Sequence, residues 1–320
     1  MTNDTKIWLI IATALLVTGG IVFVTVMSFR GWDFSGLDSG KYEENVYEVD
    51  EDFDSIEINS DTADITLLPS EDGKFKAVCY EKKNKKHTFG VTDGILVSQV
   101  VNKQAWYDHI FNFGTDKMTL YLPKAEYSAL VVKSDTSDLS VPKDFGFTEA
   151  DISVTTGDVR FLAAAGKLKI TATTGDISLE GLSADAVELS VSTGNVTAAS
   201  VSCKGNISVT VSTGDTVFSD LTCGSLTSRG STGNIILRGV VASGGFSVER
   251  STGDVIFDGC DAAEIYAKTT TGNITGTLLS EKIFLVETST GRRDVPKSTK
   301  GGRCELYAST GDIIIAYKTK

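Results

Sequence analysis

The chain has 320 residues, 41% hydrophobic and 22% charged, which excludes a disordered polypeptide, and its single long apolar run excludes a polytopic membrane protein. A net charge of −12 with no basic stripe excludes a dedicated nucleic-acid binder. Two histidines leave little for histidine-based metal or acid–base chemistry, so no metal or other cofactor is expected.

Residues 1–6 form a short tail. Residues 7–29, IWLIIATALLVTGGIVFVTVMSF, carry no charge over 23 residues. As a helix this run is about 34 Å long, enough to cross a bilayer with some tilt. A cleaved signal peptide does not fit, because the apolar region is too long and no A-x-A pattern precedes Arg30. The expectation is a single N-terminal transmembrane helix whose partner is the lipid bilayer. Lys6 on one side against Arg30 and Lys41 on the other does not fix its orientation. Thr18-Gly19-Gly20 reads as a tolerated irregularity in that helix. Residues 30–44 are a linker.

Residues 45–150 are expected to hold the first solenoid coils together with inserted strands and hairpins that cap the core. Two degenerate corners stand here, Ser60-Asp61-Thr62-Ala63-Asp64-Ile65 and Ser134-Asp135-Thr136-Ser137-Asp138-Leu139. The insert between them, centred on residues 73–122, holds the most individual surface of the chain. Lys82, Lys83, Lys85, Lys86 and His87 form a basic cluster in an acidic protein. It is a candidate contact for anionic lipid or wall polymer, against the reading of a solvated hairpin tip. Trp106, Tyr107, His109, Phe111 and Phe113 are a candidate ligand platform, against the reading that alternate residues cover the open end of the core.

Residues 151–320 repeat. Thr-Gly corners recur with glycine at Gly157, Gly175, Gly194, Gly214, Gly233, Gly253, Gly272, Gly291 and Gly311, at intervals of 18 to 20 residues. A period near 19 indicates a solenoid with one coil per repeat. With each corner glycine as position zero, −1 is always Thr, and +1 is Asp or Asn except at Arg292. Apolar residues fall at −7, −5, +2 and +4, a period of two, so the coils are built from strands, and a fifth row at +7 holds Ala164, Leu182, Val201, Leu221, Val240, Cys260 and Leu279. Glycine supplies the freedom a sharp corner needs, and the Asp or Asn after it is expected to bond local backbone groups in the turn. The fold class is therefore all-β, a β-solenoid of about 19–20 residues per coil. Arg292-Arg293 interrupts both the +1 row and the apolar +2 row.

The +1 row offers oxygen ligands of the kind calcium takes, but the glycine-rich nonapeptide of calcium solenoids is absent. The alternation of Asp and Asn reads better as relief of like-charge stacking. The Thr and Ser rows read as strand and turn formers rather than a glycan surface. Cys203 and Cys223 share position +9 in successive coils, close enough for a disulfide, in a slot that Ala184, Ala242 and Ala262 fill elsewhere. Cys260 and Cys304 occupy core rows, and Cys79 makes the count odd. Sequons at Asn195, Asn206 and Asn273 matter only in a glycosylating compartment.

The run FDSIEINSDTADITLLP from Phe53, then MTLYLPKAEYSALVVKSDTSDLSV from Met118, then serial TTGD and STGD corners, resembles the bacterial "putative adhesin" family of unknown function. The resemblance covers residues 45–320. It implies a β-solenoid displayed outside the cytoplasm from a membrane anchor, in some members alongside envelope stress-response systems, and it implies no catalytic residues. The expected function is thus a non-enzymatic, membrane-anchored extracytoplasmic protein with an adhesive or envelope-structural role and an envelope polymer or protein as partner. Two alternatives stand beside it. One is a self-assembling tethered scaffold, opposed by Lys318 and Lys320, which would protect an open edge with charge. The other is a polysaccharide-acting β-helix enzyme, for which Arg292-Arg293-Asp294 is the sole cluster off the repeat rhythm.

Overall fold

The computed structural model describes residues 3–29, 42–102 and 116–318. Residues 3–29 belong to one unit and the β-structure to another. In the first, helix α1 spans Asn3–Phe29. No helix among the described residues is long and apolar enough to cross a membrane, so the span expected at residues 7–29 is not shown.

The second unit is a β-solenoid. Its N-terminal strands are β1 (Tyr42–Val49), β2 (Ser55–Ser60), β3 (Ala63–Pro69), β4 (Phe75–Lys82), β5 (Lys85–Thr92), β6 (Ile95–Asn102), β7 (Asp116–Leu122), β8 (Glu126–Thr136) and β9 (Leu139–Val141). Each level of the stack gives one strand to each of two facing sheets. Among the described residues the long-strand sheet has twelve parallel levels, from β6 through β2 and β8 to Lys282–Thr288. The short-strand sheet also holds twelve, from β7 through β3 and β9 to Arg293–Asp294. Twelve levels at about 4.8 Å make a stack roughly 53 Å long.

The core lies between the sheets, where the rows read from the sequence are buried. Val159, Ile177, Val196 and Ile235 line one row, and Leu168, Val187, Ile207 and Leu226 face them. A fifth apolar row, expected at +7, holds for Leu182, Val201, Leu221 and Val240. It fails at Ala164, which is exposed while its neighbours Ala163 and Ala165 are buried. The coil from Gly157 to Gly175 is the shortest, and Ala163 takes the inward slot. Leu279 is exposed because the register slips by one residue between Phe257–Gly276 and the next pair, so that Leu278 pairs with Cys260 instead.

The corners explain the invariant glycine. Gly194 has φ +143, and a Cβ built there would lie 2.0 Å from the carbonyl oxygen of Gly175 in the level below. Both the backbone region and the close approach exclude a side chain. Ala63 and Ser137, which stand for glycine at the degenerate corners, are not in that region.

The +1 side chains act between levels rather than within their own turn. Asp158 Oδ1 accepts the backbone N–H of Asp176, and Asp176 Oδ1 accepts that of Asn195. The series runs unbroken from Asp64 to Arg292 at 2.6–3.1 Å. At Asn195 and Asn273 the amide also donates to the preceding carboxylate, as from Asn195 Nδ2 to Asp176 Oδ1 at 3.2 Å.

Chain order and stacking order part at both ends. The level containing β2 and β3 lies between the β6–β7 level and the β8–β9 level. Beyond the β6–β7 level, β5 pairs antiparallel with β6, while in the other sheet β4 pairs antiparallel with β7 and β1 antiparallel with β4. At the far end Gly302–Thr310 pairs with Val255–Thr271 on one side and with Lys282–Thr288 on the other. The Gly311 level is therefore inserted between the Gly272 and Gly291 levels. The Gly291 coil is the last level among the described residues, so Arg292 receives the ladder from Asp312 and serves no further level there. Its missing carboxylate is the natural end of the row. Lys318 does not guard an edge as expected: its strand Ile313–Tyr317 is interior, and Lys318 pairs with Asp258 at 3.3 Å.

Candidate functional site

The cap at the β4–β5 junction carries the basic cluster, and it is not a solvated hairpin tip. β4 runs in the short-strand sheet and β5 in the long-strand sheet, so Lys83-Asn84 turns a corner between them. Lys82 is 1% exposed, with Nζ 5.5 Å from the centre of the Tyr42 ring. Lys85 is 6% exposed and donates to Thr62 Oγ1 at 2.8 Å, with Asp61 and Asp116 carboxylates at 3.4 and 3.6 Å. Lys86 is paired with Glu43. Of the four lysines only Lys83 is fully exposed. Trp106, Tyr107, His109, Phe111 and Phe113 lie outside the described residues.

What the cap brings together is a group the sequence reading did not single out. Along β4 the inward residues are Phe75, Ala77, Cys79 and Glu81. A carboxylate thus occupies the last place of an apolar row, where it must be fully hydrogen-bonded to be tolerated. Glu81 Oε1 accepts from Tyr47 Oη at 2.5 Å and Asn45 Nδ2 at 2.9 Å. Its Oε2 accepts from the backbone N–H of His87 and lies 2.8 Å from His87 Nδ1. Burial pushes the Glu81 carboxyl up, but the bonds from the His87 ring, Tyr47, the His87 N–H and Asn45 together outweigh it and hold it below the usual range. Burial first, and then the bond to Glu81, raise the Tyr47 phenol well above its ordinary value. Burial raises the Cys79 thiol likewise. The donor atoms of Cys79, Glu81 and His87 all lie within 4.8 Å of one another. The signal available in the sequence was Cys79-x-Glu81 in register with an apolar row, followed in the next strand by one of only two histidines.

Elsewhere the candidates resolve into structure. Arg293 donates to the Thr288 carbonyl at 2.6 Å, and Arg292 lies 3.8 Å from Asp294, so this cluster is engaged in the terminal turn. It borders an open cleft of about 720 Å³ between Phe284 and the Val295–Lys300 segment. All five cysteines are free and buried, so Cys203 and Cys223 are not bonded to each other. They fill the small slot in line with Ala184 and Ala242.

The family described as Toastrack DUF4097 matches residues 53–222, which is 170 of the 320 residues. The match includes β2 to β9 and the corners from Gly157 to Gly214. Among solved structures, a putative adhesin from Parabacteroides merdae ATCC 43184 is 16% identical with a TM-score of 0.50, over 76% of this chain and 98% of that one. A putative adhesin from Parabacteroides distasonis ATCC 8503 is 16% identical with a TM-score of 0.47, over 76% and 98%. A putative adhesin from Bacteroides fragilis NCTC 9343 is 17% identical with a TM-score of 0.41, over 87% and 99%. At such identities the Parabacteroides merdae likeness is one of fold alone. No curated protein matches the chain.

Proposed function

This chain belongs to the Toastrack DUF4097 family, and from that premise we propose that it is a non-enzymatic β-solenoid, anchored in the membrane and displayed outside the cytoplasm. Its work is adhesion, or a structural or stress-response role in the cell envelope. The observation that carries the non-enzymatic reading is the use made of the carboxylates in the repeat. Each +1 Asp from Asp138 to Asp254 spends an oxygen on the next level's N–H, as Asp215 does for Asn234 at 2.6 Å, and is thereby fixed as structure. General acid–base work needs paired groups off that rhythm. Anchoring rests on the uncharged 7–29 run within α1. The adhesin name of the Parabacteroides merdae protein agrees with this reading. Protease treatment of intact cells, followed through a C-terminal tag, tests it. Loss of the tagged solenoid supports external display. Full protection, with digestion only after lysis, overturns it.

A second reading, end-to-end self-association of tethered rods, is favoured by one observation. Lys282–Thr288 has a strand partner on one side only among the described residues, and its Ile283 and Leu285 are 48% and 50% exposed. An open strand edge with apolar side chains is a pairing template. Sedimentation that rises with concentration, and is abolished by Ile283→Lys with Leu285→Lys, supports it. A concentration-independent monomer removes it.

A further inference from the structure

We propose that Cys79, Glu81 and His87 hold one divalent cation of the zinc class, which clips the N-terminal cap shut. This goes beyond the functional reading above and does not depend on it.

Three observations carry it. First, the donor set is that of a zinc site: a thiol, a carboxylate and an imidazole, with their donor atoms within 4.8 Å of one another. Second, the three side chains are enclosed, at 0%, 0% and 2% exposure, so bulk water does not compete for the position. Third, His87 Nδ1 lies 2.8 Å from Glu81 Oε2, so the two atoms face a common point and an ion there takes the place of the proton between them. The imidazole stays neutral with its proton on Nε2, a buried atom without a hydrogen-bond partner among the described residues.

The charges favour the same conclusion. A thiolate and a carboxylate together neutralise one divalent cation in a place where an uncompensated charge is costly. Binding converts the Cys79 thiol and the free cation into a thiolate–metal bond and releases one proton to solvent. No redox partner is needed. The site also has a mechanical role. Cys79 and Glu81 sit on β4 in one sheet and His87 on β5 in the other, so a shared ion ties the two sheets together at the cap.

The test uses the full chain in detergent, stripped with chelator and then given zinc or cobalt. One equivalent of zinc retained after dialysis, a thiolate-to-cobalt charge-transfer band, and a rise in Tm of about 5 °C with zinc are expected. Cys79→Ala and His87→Gln each abolish the band and the zinc-dependent rise, while Cys203→Ala keeps both. Circular dichroism checks that each variant is folded. Should Cys79→Ala fail to fold, His87→Gln alone decides. Sub-stoichiometric zinc in the unmodified chain, or a cobalt spectrum without the thiolate band, overturns the proposal.

Discussion

Asn273 and Asp312 are adjacent rungs of one ladder, the N–H of Asp312 donating to Asn273 Oδ1 at 2.8 Å, although 39 residues separate them. That separation is two repeat lengths. The chain therefore leaves a gap at this level, builds the level beyond it, and returns to fill the space.

Cross-linking tests this order. Thr271 and Thr310 are strand partners, whereas Thr290 belongs to the level beyond. Neighbouring parallel strands bring Cα atoms to disulfide range, while two levels are about 10 Å apart. Thr271→Cys with Thr310→Cys is expected to oxidise to a cross-linked chain of altered non-reducing mobility. Thr271→Cys with Thr290→Cys is expected not to. The reverse result would restore simple sequential stacking.

Gly194→Ala is expected to destabilise the solenoid by about 3 kcal/mol, from a strained φ and a clash with the Gly175 carbonyl. Ser137→Gly, at a corner that already accepts a side chain, is expected to cost under about 1 kcal/mol. Urea denaturation of the two variants separates a special corner geometry from a general preference for small residues.

Arg250 is a buried cation in an apolar row, donating to the Val211 carbonyl and to Thr216 Oγ1, each at 2.8 Å. It reaches them across Gly230, where any Cβ would collide with its guanidinium. Burial lowers its pKa. Arg250→Ala is expected to cost about 3 kcal/mol, through a cavity and an orphaned Thr216 hydroxyl. Arg250→Met with Thr216→Val is expected to recover most of that loss, because it removes the buried charge and the hydroxyl together. Equal losses in the two variants, read from denaturation midpoints, would refute this account.

Burial pushes the thiols of Cys223 and Cys304 up to about 12, and Cys79 and Cys260 are raised as well. At pH 8 the Cys223 and Cys304 thiolate fractions are about one in ten thousand. Alkylation of the native metal-free chain at pH 8 is therefore expected to be slow and to rise sharply only through the unfolding transition in urea. Rapid native labelling of any described cysteine would mean that its level opens locally.

The solenoid was legible in the sequence because its determinants are local and repeated. A glycine that admits no Cβ, such as Gly175, and an apolar alternation, such as Leu168 with Ile170, recur within each coil. The stacking order was hidden, because a period of 19–20 is the same whichever level a coil joins. The cap misled for a related reason. Lys85 reads as solvated beside Lys83 and Lys86, yet its partners Asp61, Thr62 and Asp116 stand more than 20 residues away in the chain. The Glu81 group was equally dispersed, drawing on Asn45 and Tyr47 from β1 and His87 from β5.

The reversed order at both ends limits how such a rod can be made and how it can change. During synthesis the Gly291 coil emerges before the surface it rests on, and it has no seat until residues 302–317 slide in beneath it. Removing those residues would take away one coil and strand a second, the Gly291 coil. Length variation by gain or loss of a repeat is then confined to the middle of the stack, between β8 and the Gly253 coil, where each coil rests on its predecessor in the chain. The outer coils work as keystones, and a keystone cannot be duplicated in place.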